Sequence, residues 1–305
     1  MASTITNINW ARVDQEVIAA LRFGLPARDL FSMRALTLEE VNSIENDVVR
    51  VPLATDPTLA VKTLGTAATG TGSLVAVDVT LGNPKAVGWD AIEGKMSPAM
   101  FLKYWEDKIA GGMYVLSKAV LDAGLAIVTA ANYGDTEGVD KLTVAPADFG
   151  QADLGLLWQY GATKIKQRSR SLILNAAYAG QLIGNSNLMT VFAQANGTNP
   201  VETGVLPRLI GHQTAAYPDM PANGEALGGA VFGQAAIALA CAPISPLAAA
   251  GQGDIVDRRV IIHAETGFSA LYTMTASGGG TIKGELALMY GVAKGQNSVV
   301  RIING

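Results

Sequence analysis

The chain has 305 residues, 49% of them hydrophobic and 16% charged, which suffices for one large or two closely joined folded domains and excludes disorder as the main state. A formal net charge of -4 excludes the concentrated basic face with which sequence-reading nucleic-acid binders neutralise phosphates. A single cysteine, Cys241, set in an apolar run, excludes a disulfide within one chain and predicts a small buried thiol.

Residues 1–9 are polar and lack the charged-then-apolar pattern of a secretory signal, so a cytosolic start is expected. Apolar stretches such as 230–244 are too short and too interrupted for a membrane span of about 20 residues. From 10 to 22, Trp10, Val13, Val17, Ile18 and Leu21 recur at helical spacing, and Gly24 with Pro26 ends that helix. Leu30 and Phe31 open a segment without period, read as a connecting arm. Val49, Val51 and Leu53 alternate with Arg50 and Pro52, and 74–81 is a second β-branched run. Together they predict a long two-stranded hairpin whose tip is the glycine-rich stretch 66–73. Two strands alone are marginal in water, so support from another domain or another chain is expected.

Ser97 and Pro98 form a helix start, with serine as N-cap and proline where no backbone donor is needed. Phe101, Trp105, Ile109, Met113, Leu116, Val120 and Ala123 then hold steps of three or four, a stripe that predicts a helix of roughly 40 Å at about 1.5 Å per residue. Residues 152–167 read as a further helix with Leu154, Leu157, Trp158 and Ala162 on one side, followed by a short buried strand at 171–174. Residues 175–182 look helical, 204–210 look like a strand, and 234–241 look like a small alanine-rich helix. The β-type runs 259–264, 270–275, 281–290 and 298–303, separated by glycine turns, are expected to pair into a terminal antiparallel sheet.

Chemistry-bearing patterns are sparse. With two histidines, His212 and His263, and no HExxH, paired CxxC or GxSxG, the zinc, redox and hydrolase signatures are absent. His263 reads as a strand residue and His212 as a loop hydrogen-bonder. Residues 65–72 resemble a phosphate cradle, but Thr71 stands where a P-loop needs its lysine. Asp135, Glu137 and Asp140 resemble a calcium loop without its closing glutamate and read as a solvated turn. The basic run Lys164, Lys166, Arg168 and Arg170 suits solvent or a salt-bridged neighbour better than nucleic acid, because no aromatics interleave it. No catalytic residue, cofactor or metal is expected.

The order of arm, hairpin, long helix, compact α/β region and terminal strands resembles the Hong Kong 97-type major capsid proteins of tailed bacteriophages. The likeness is carried by VDVTLGNPKAVGW (77–89), MSPAMFLKYW (96–105), KQRSRSLILN (166–175), FGQAAIALACAP (232–243) and the ending 286–303. It implies an α+β fold with an N-terminal arm (1–48), an extended β-hairpin loop (49–90), a peripheral domain (91–153 and 259–305) carrying a spine helix at 98–128, and a mixed α/β axial domain (154–258). The function implied is structural, not enzymatic: self-assembly into the pentamers and hexamers of an icosahedral head around double-stranded DNA, in the virion, after assembly in the host bacterial cytoplasm. Expected partners are further copies of the chain, a separate scaffolding protein, a portal, a decoration protein in those heads that carry one, and packaged DNA touched without sequence preference, with no membrane. Subunit contacts are expected at Trp10, Phe31, Arg50, Lys62, Thr69, Val77, Trp89, Lys164, Lys166, Arg168 and Arg170. Neither Lys62 nor Lys85 aligns with the lysine through which some relatives cross-link, so no cross-link is assigned. The alternatives are an encapsulin-type nanocompartment shell with the same fold and, from another class, a soluble α/β enzyme built on the central region.

Overall fold

The computed structural model describes residues 31–37, 40, 48–54, 74–92, 95–165, 170–185, 206, 208–244, 254–262, 269–277 and 280–305. The expected arm helix at 10–22, the hairpin tip and His263 lie outside them.

Strand β1 (Phe31–Ala35) is followed by the hairpin β2 (Val48–Ala54) and β3 (Leu74–Thr80), then β4 (Lys85–Ile92) and the long helix α1 (Pro98–Ala126). Next come a single turn α2 (Ala130–Tyr133), β5 (Lys141–Thr143), α3 (Gln151–Lys164), β6 (Arg170–Leu174) and α4 (Ala176–Gly184). The remainder is β: β7 (His212–Ala216), β8 (Leu227–Phe232), β9 (Ile237–Ala242), β10 (Asp254–Ile262), β11 (Ser269–Ser277), β12 (Thr281–Lys294) and β13 (Val299–Ile303).

Among the described residues these strands form a six-stranded sheet in the order β1-β9-β12-β11-β10 with β4 also on β12, a five-stranded sheet β5-β13-β8-β6-β7, and the β2-β3 hairpin. The expected terminal sheet is therefore only partly right. β10, β11 and β12 are antiparallel neighbours, but β13 leaves them and pairs with β8 and β5. β4 also departs from the hairpin and runs antiparallel along the first half of β12.

Helix α1 starts as its sequence dictates: the Ser97 hydroxyl accepts from the Met100 amide at 3.4 Å, with Pro98 in the first turn. By length and composition it could cross a bilayer, yet Trp105, Ile109, Met113, Leu116 and Val120 are buried against the sheets. Two of its glycines, Gly112 and Gly124, receive side chains rather than backbone. A Cβ on Gly112 would stand 3.0 Å from Leu286, and one on Gly124 2.8 Å from the Phe31 ring.

The segment 234–241 is not a helix. It makes a turn and then β9, in which every residue is buried because both faces are covered. Ile237, Leu239 and Cys241 point into the core beneath α1, whereas Ala238, Ala240 and Ala242 face the hairpin and pack on Val49, Val51, Leu53 and Val79. The strict alternation of large and small is a strand period, and the small residues let the hairpin lie close. At least at its base, then, the hairpin is supported by its own chain. Phe31–Ala35, read as arm, is a strand because it completes this sheet in parallel with β9. Within 204–210, the described residues give only an isolated bridge from Leu209 to His212 and a turn.

One face of the five-stranded sheet joins the core under α1 through Ile173, Leu227, Ala230, Phe232 and Val299. The other, with Leu172, Leu174, Val231, Val300 and Ile302, is covered by α3 and α4 through Leu154, Leu157, Tyr178 and Leu182.

Candidate assembly surface

Outside the β2-β3 hairpin, the face opposite the alanines of β9 is polar at its centre. Arg50 pairs with Asp78 directly across the strands at 3.2 Å, and both side chains are largely exposed. Val48 is exposed beside them, while Val75 and Val77 lie on the opposite face, across from Leu53 and Val51. Arg50 thus sits on a strand surface with no covering element among the described residues, as a contact role requires, whereas Val77, paired with the buried Val51, faces inward and packs on the core under the hairpin, which corrects its expected contact role.

Other residues expected at contacts spend their side chains inside the chain. Phe31 is buried against Gly124 and Ile237. Trp89 lies edge-on to Trp105 at 5.6 Å, both over Gly284, where a Cβ would stand 2.5 Å from the Trp89 ring. Its indole N–H is buried without an acceptor.

Lys164 and Arg170 of the basic run are corrected in the same sense. The Lys164 side chain is 7% exposed and donates to the Asp140 carboxylate and the Tyr133 carbonyl, each at 2.6 Å. Arg170 donates to the Ile165 carbonyl at 3.0 Å, closing the end of α3, and burial lowers its pKa. Trp10, Lys62, Thr69, Lys166 and Arg168 lie outside the described residues.

Of the acidic turn, Asp135 and Glu137 are exposed, as a solvated turn requires, but Asp140 is drawn inward. Burial pushes the Asp140 carboxyl up, but the Lys164 ammonium and the Thr136 amide outweigh it and leave it below its usual value. Asp135 is lowered by Lys141 and Arg301. Arg301 on β13 is 1% exposed. It pairs with Glu225 and donates to Asp135 at 2.9 Å and to the Gly134 carbonyl at 2.6 Å. Sequence reasoning missed Arg301 because an arginine in VVRII looks like an outward strand residue. Its partners are 76, 166 and 167 residues away.

His212 is fully buried with neither ring nitrogen bonded, rather than serving as a loop hydrogen-bonder. Burial first, then the guanidinium groups of Arg170 and Arg208, lower its pKa to about 4. The Cys241 thiol is pushed up to about 11 by burial, so it is not ionised near neutral pH. Among the described residues no three His, Cys, Asp or Glu side chains gather as a metal set.

Exposed apolar side chains mark further contact candidates. Trp158 on α3 was expected inward with Leu154 and Leu157. It stands at the edge of that stripe and is 49% exposed, with Leu156 exposed nearby. Met100 and Val115 on α1 and Ile255 and Ile262 on the edge strand β10 are exposed as well.

No family model and no curated protein sequence matches the chain. Solved structures do. A chain from the capsid of the cyanophage P-SCSP1u aligns with a TM-score of 0.55 at 12% identity, over 91% of this chain and 87% of that one. One from the mature capsid of bacteriophage PhiM1 gives 0.54 at 10% identity, over 91% and 87%. The fold is Hong Kong 97-like. The fold is α+β, with α1 and the β2-β3 hairpin both seated on the six-stranded sheet.

Proposed function

We propose that this chain is the major capsid protein of a tailed bacteriophage, a non-enzymatic subunit that assembles with copies of itself into the pentamers and hexamers of an icosahedral head. The observation that carries the reading is the alignment of about nine-tenths of the chain with phage capsid chains, together with a hairpin whose outer face has no covering element among the described residues. The work of such a subunit is mechanical: burying surface against neighbours and resisting internal pressure.

The domains follow the sheets. The spine helix and the six-stranded sheet make the peripheral domain, so β9 belongs to it. The five-stranded sheet makes the axial domain, so β5 and β13 join the region 154–232 there. Residues 1–48 form the arm and 49–90 the extended loop, save that β1 and β4 are strands of the peripheral sheet. Contacts between subunits fall on Arg50 and the rest of the outer hairpin face, on Trp158, and on Trp10, Lys62, Thr69, Lys166 and Arg168. Scaffolding protein, portal, any decoration protein and the packaged DNA are partners of this reading. So is assembly in the host cytoplasm before residence in the virion.

Electron microscopy of the purified chain, expressed alone and with a scaffolding protein, tests the reading. Closed icosahedral shells are expected, and a monodisperse monomer under both conditions overturns it. Small shells that fill with a cargo enzyme and never with phage DNA would favour a nanocompartment instead.

A further inference from the structure

A two-stranded ribbon joins the two sheets. β8 and β13 pair antiparallel in the five-stranded sheet, ending with Phe232 opposite Val299. Their continuations β9 and β12 pair antiparallel in the six-stranded sheet, starting with Ile237 opposite Lys294. Between these pairs both runs turn together, at 233–236 on one and 295–298 on the other.

The double turn is tightly drawn. The Gly233 amide donates to the Ser298 carbonyl at 2.7 Å, and the Gly295 and Gln296 amides donate to the Ala236 and Ala235 carbonyls at 2.9 Å each. A Cβ on Gly295 would fall 2.3 Å from the Ala235 carbonyl oxygen, and one on Gly233 2.7 Å from Ile165. Ala235 is held at a φ of 56°, a left-handed conformation unfavourable to a residue with a side chain.

Helix α2 is wedged against this corner. The Tyr133 hydroxyl donates to the Ala236 carbonyl at 2.8 Å, and the Lys294 ammonium lies 5.6 Å from the Tyr133 ring centre. Behind it, α2 is held from the axial side. Lys164 donates to the Tyr133 carbonyl, Arg301 donates to the Gly134 carbonyl, and Glu225 accepts from the Ala130 amide at 2.9 Å. Asn223 donates to the Leu125 and Val128 carbonyls at 2.7 and 3.1 Å, closing the end of α1.

We infer that the double turn at 233–236 and 295–298 is a hinge between the two sheets, and that α2 is the pin that sets its angle, with Tyr133 as the positioning residue. The polar contacts that brace the corner from the axial side are routed through α2, whereas the ribbon itself is only two strands wide. The consequence for assembly rests on the capsid reading: subunits in pentamers and hexamers bend by different amounts, and this corner is where the bend is taken up.

Tyr133→Phe removes one hydrogen bond and leaves the ring in place, while the Ala236 carbonyl keeps its bond from Gly295. Ala235→Gly relieves the left-handed position and removes no hydrogen bond. In the isolated chain Tyr133→Phe is expected to raise hydrogen exchange at the amides of Gly233, Gly295 and Gln296 by about three- to tenfold, the factor one buried hydrogen bond contributes, whereas Ala235→Gly should not raise it. The β10-β11 pair should keep its wild-type exchange. Unchanged exchange at those three amides in Tyr133→Phe, or an equal rise throughout the chain, overturns the hinge. In assembly, Tyr133→Phe is expected to give shells of broader size distribution than the wild type, and a single wild-type size despite loosened amides overturns the role of the corner in curvature. If the wild type forms no shells, the capsid reading fails while the exchange experiment still decides the hinge.

Discussion

The two ends of α1 are anchored by opposite means. Its first half is held by shape: Phe101 stacks on Trp105 at 5.1 Å, Trp89 meets Trp105 edge-on, and both indoles occupy the space that Gly284 leaves open. A buried polar contact there runs from the Trp105 N–H to the Tyr272 hydroxyl at 2.6 Å. The far end is held by charge, through Glu225, Arg301, Asp135, Lys164 and Asp140 around α2. An apolar anchor depends on volume and is indifferent to pH, whereas an ionic one tolerates small changes of volume but not the loss of a partner.

Four changes break or sharpen that contrast. Trp105→Ala opens a cavity and leaves the Tyr272 hydroxyl without its donor, so a loss of about 4 kcal/mol in denaturant unfolding is expected, equal at pH 5 and pH 8. A loss that varies with pH would show that the first half of α1 also depends on charge. Arg301→Met keeps the volume and removes the charge, leaving Glu225 and Asp135 facing each other's field. About 3 kcal/mol should be lost, with faster hydrogen exchange confined to α2 and the 222–226 turn, because Asp135 is exposed enough for water to replace part of the interaction. An indifferent Arg301→Met would reduce the ionic anchor to decoration.

His212 makes the axial side sensitive to acid. Its folded pKa of about 4 lies below the ordinary 6.5, so the unfolded chain takes up this proton first. Stability is complete above about pH 6.5, falls as the pH drops towards 4, and loses at most about 3 kcal/mol. The lowered carboxyls of Asp135 and Asp140 act in a separate window, since their contribution disappears only below their ordinary 3.8. Comparing wild type with His212→Leu at pH 7 and pH 4.5 isolates the histidine, and an equal drop in both proteins would rule it out as the source. The smallest effect is expected from Arg50→Ala, which breaks an exposed pair and should change stability by about 0.5 kcal/mol or less. If Arg50 is a subunit contact, that variant folds normally yet assembles poorly, visible as a lower yield of shells by sedimentation.

Local chemistry explains which parts were legible. The Ser97 and Pro98 start, the stripe from Trp105 to Val120 and the two β-branched runs of the hairpin each depend on neighbours a few residues away, and the structure has all three. β9 reads as a helix in sequence because six apolar residues with three alanines satisfy helix propensity as well as a two-sided strand. Only the alternation of Ile237, Leu239 and Cys241 with Ala238, Ala240 and Ala242 distinguishes them. Among the candidate contacts, Arg50 keeps the outward place that alternation predicts, while Val77, of opposite parity, faces inward with Val51. Phe31, Lys164 and Arg170 do not keep theirs, because each met a partner that no spacing announces: Gly124, Asp140 and the carbonyl of Ile165.

The amino-acid sequence by itself determined most of the elements and their order, since capping, periodicity and turn chemistry act within a few residues. Which sheet each strand joins was decided only in the tertiary structure. Near the end of the chain, β12 and β13 are separated by a four-residue turn yet pair in different sheets. The reason is that strand pairing and the burial of Arg301 are settled by residues tens to hundreds of positions away, where local preference has no reach.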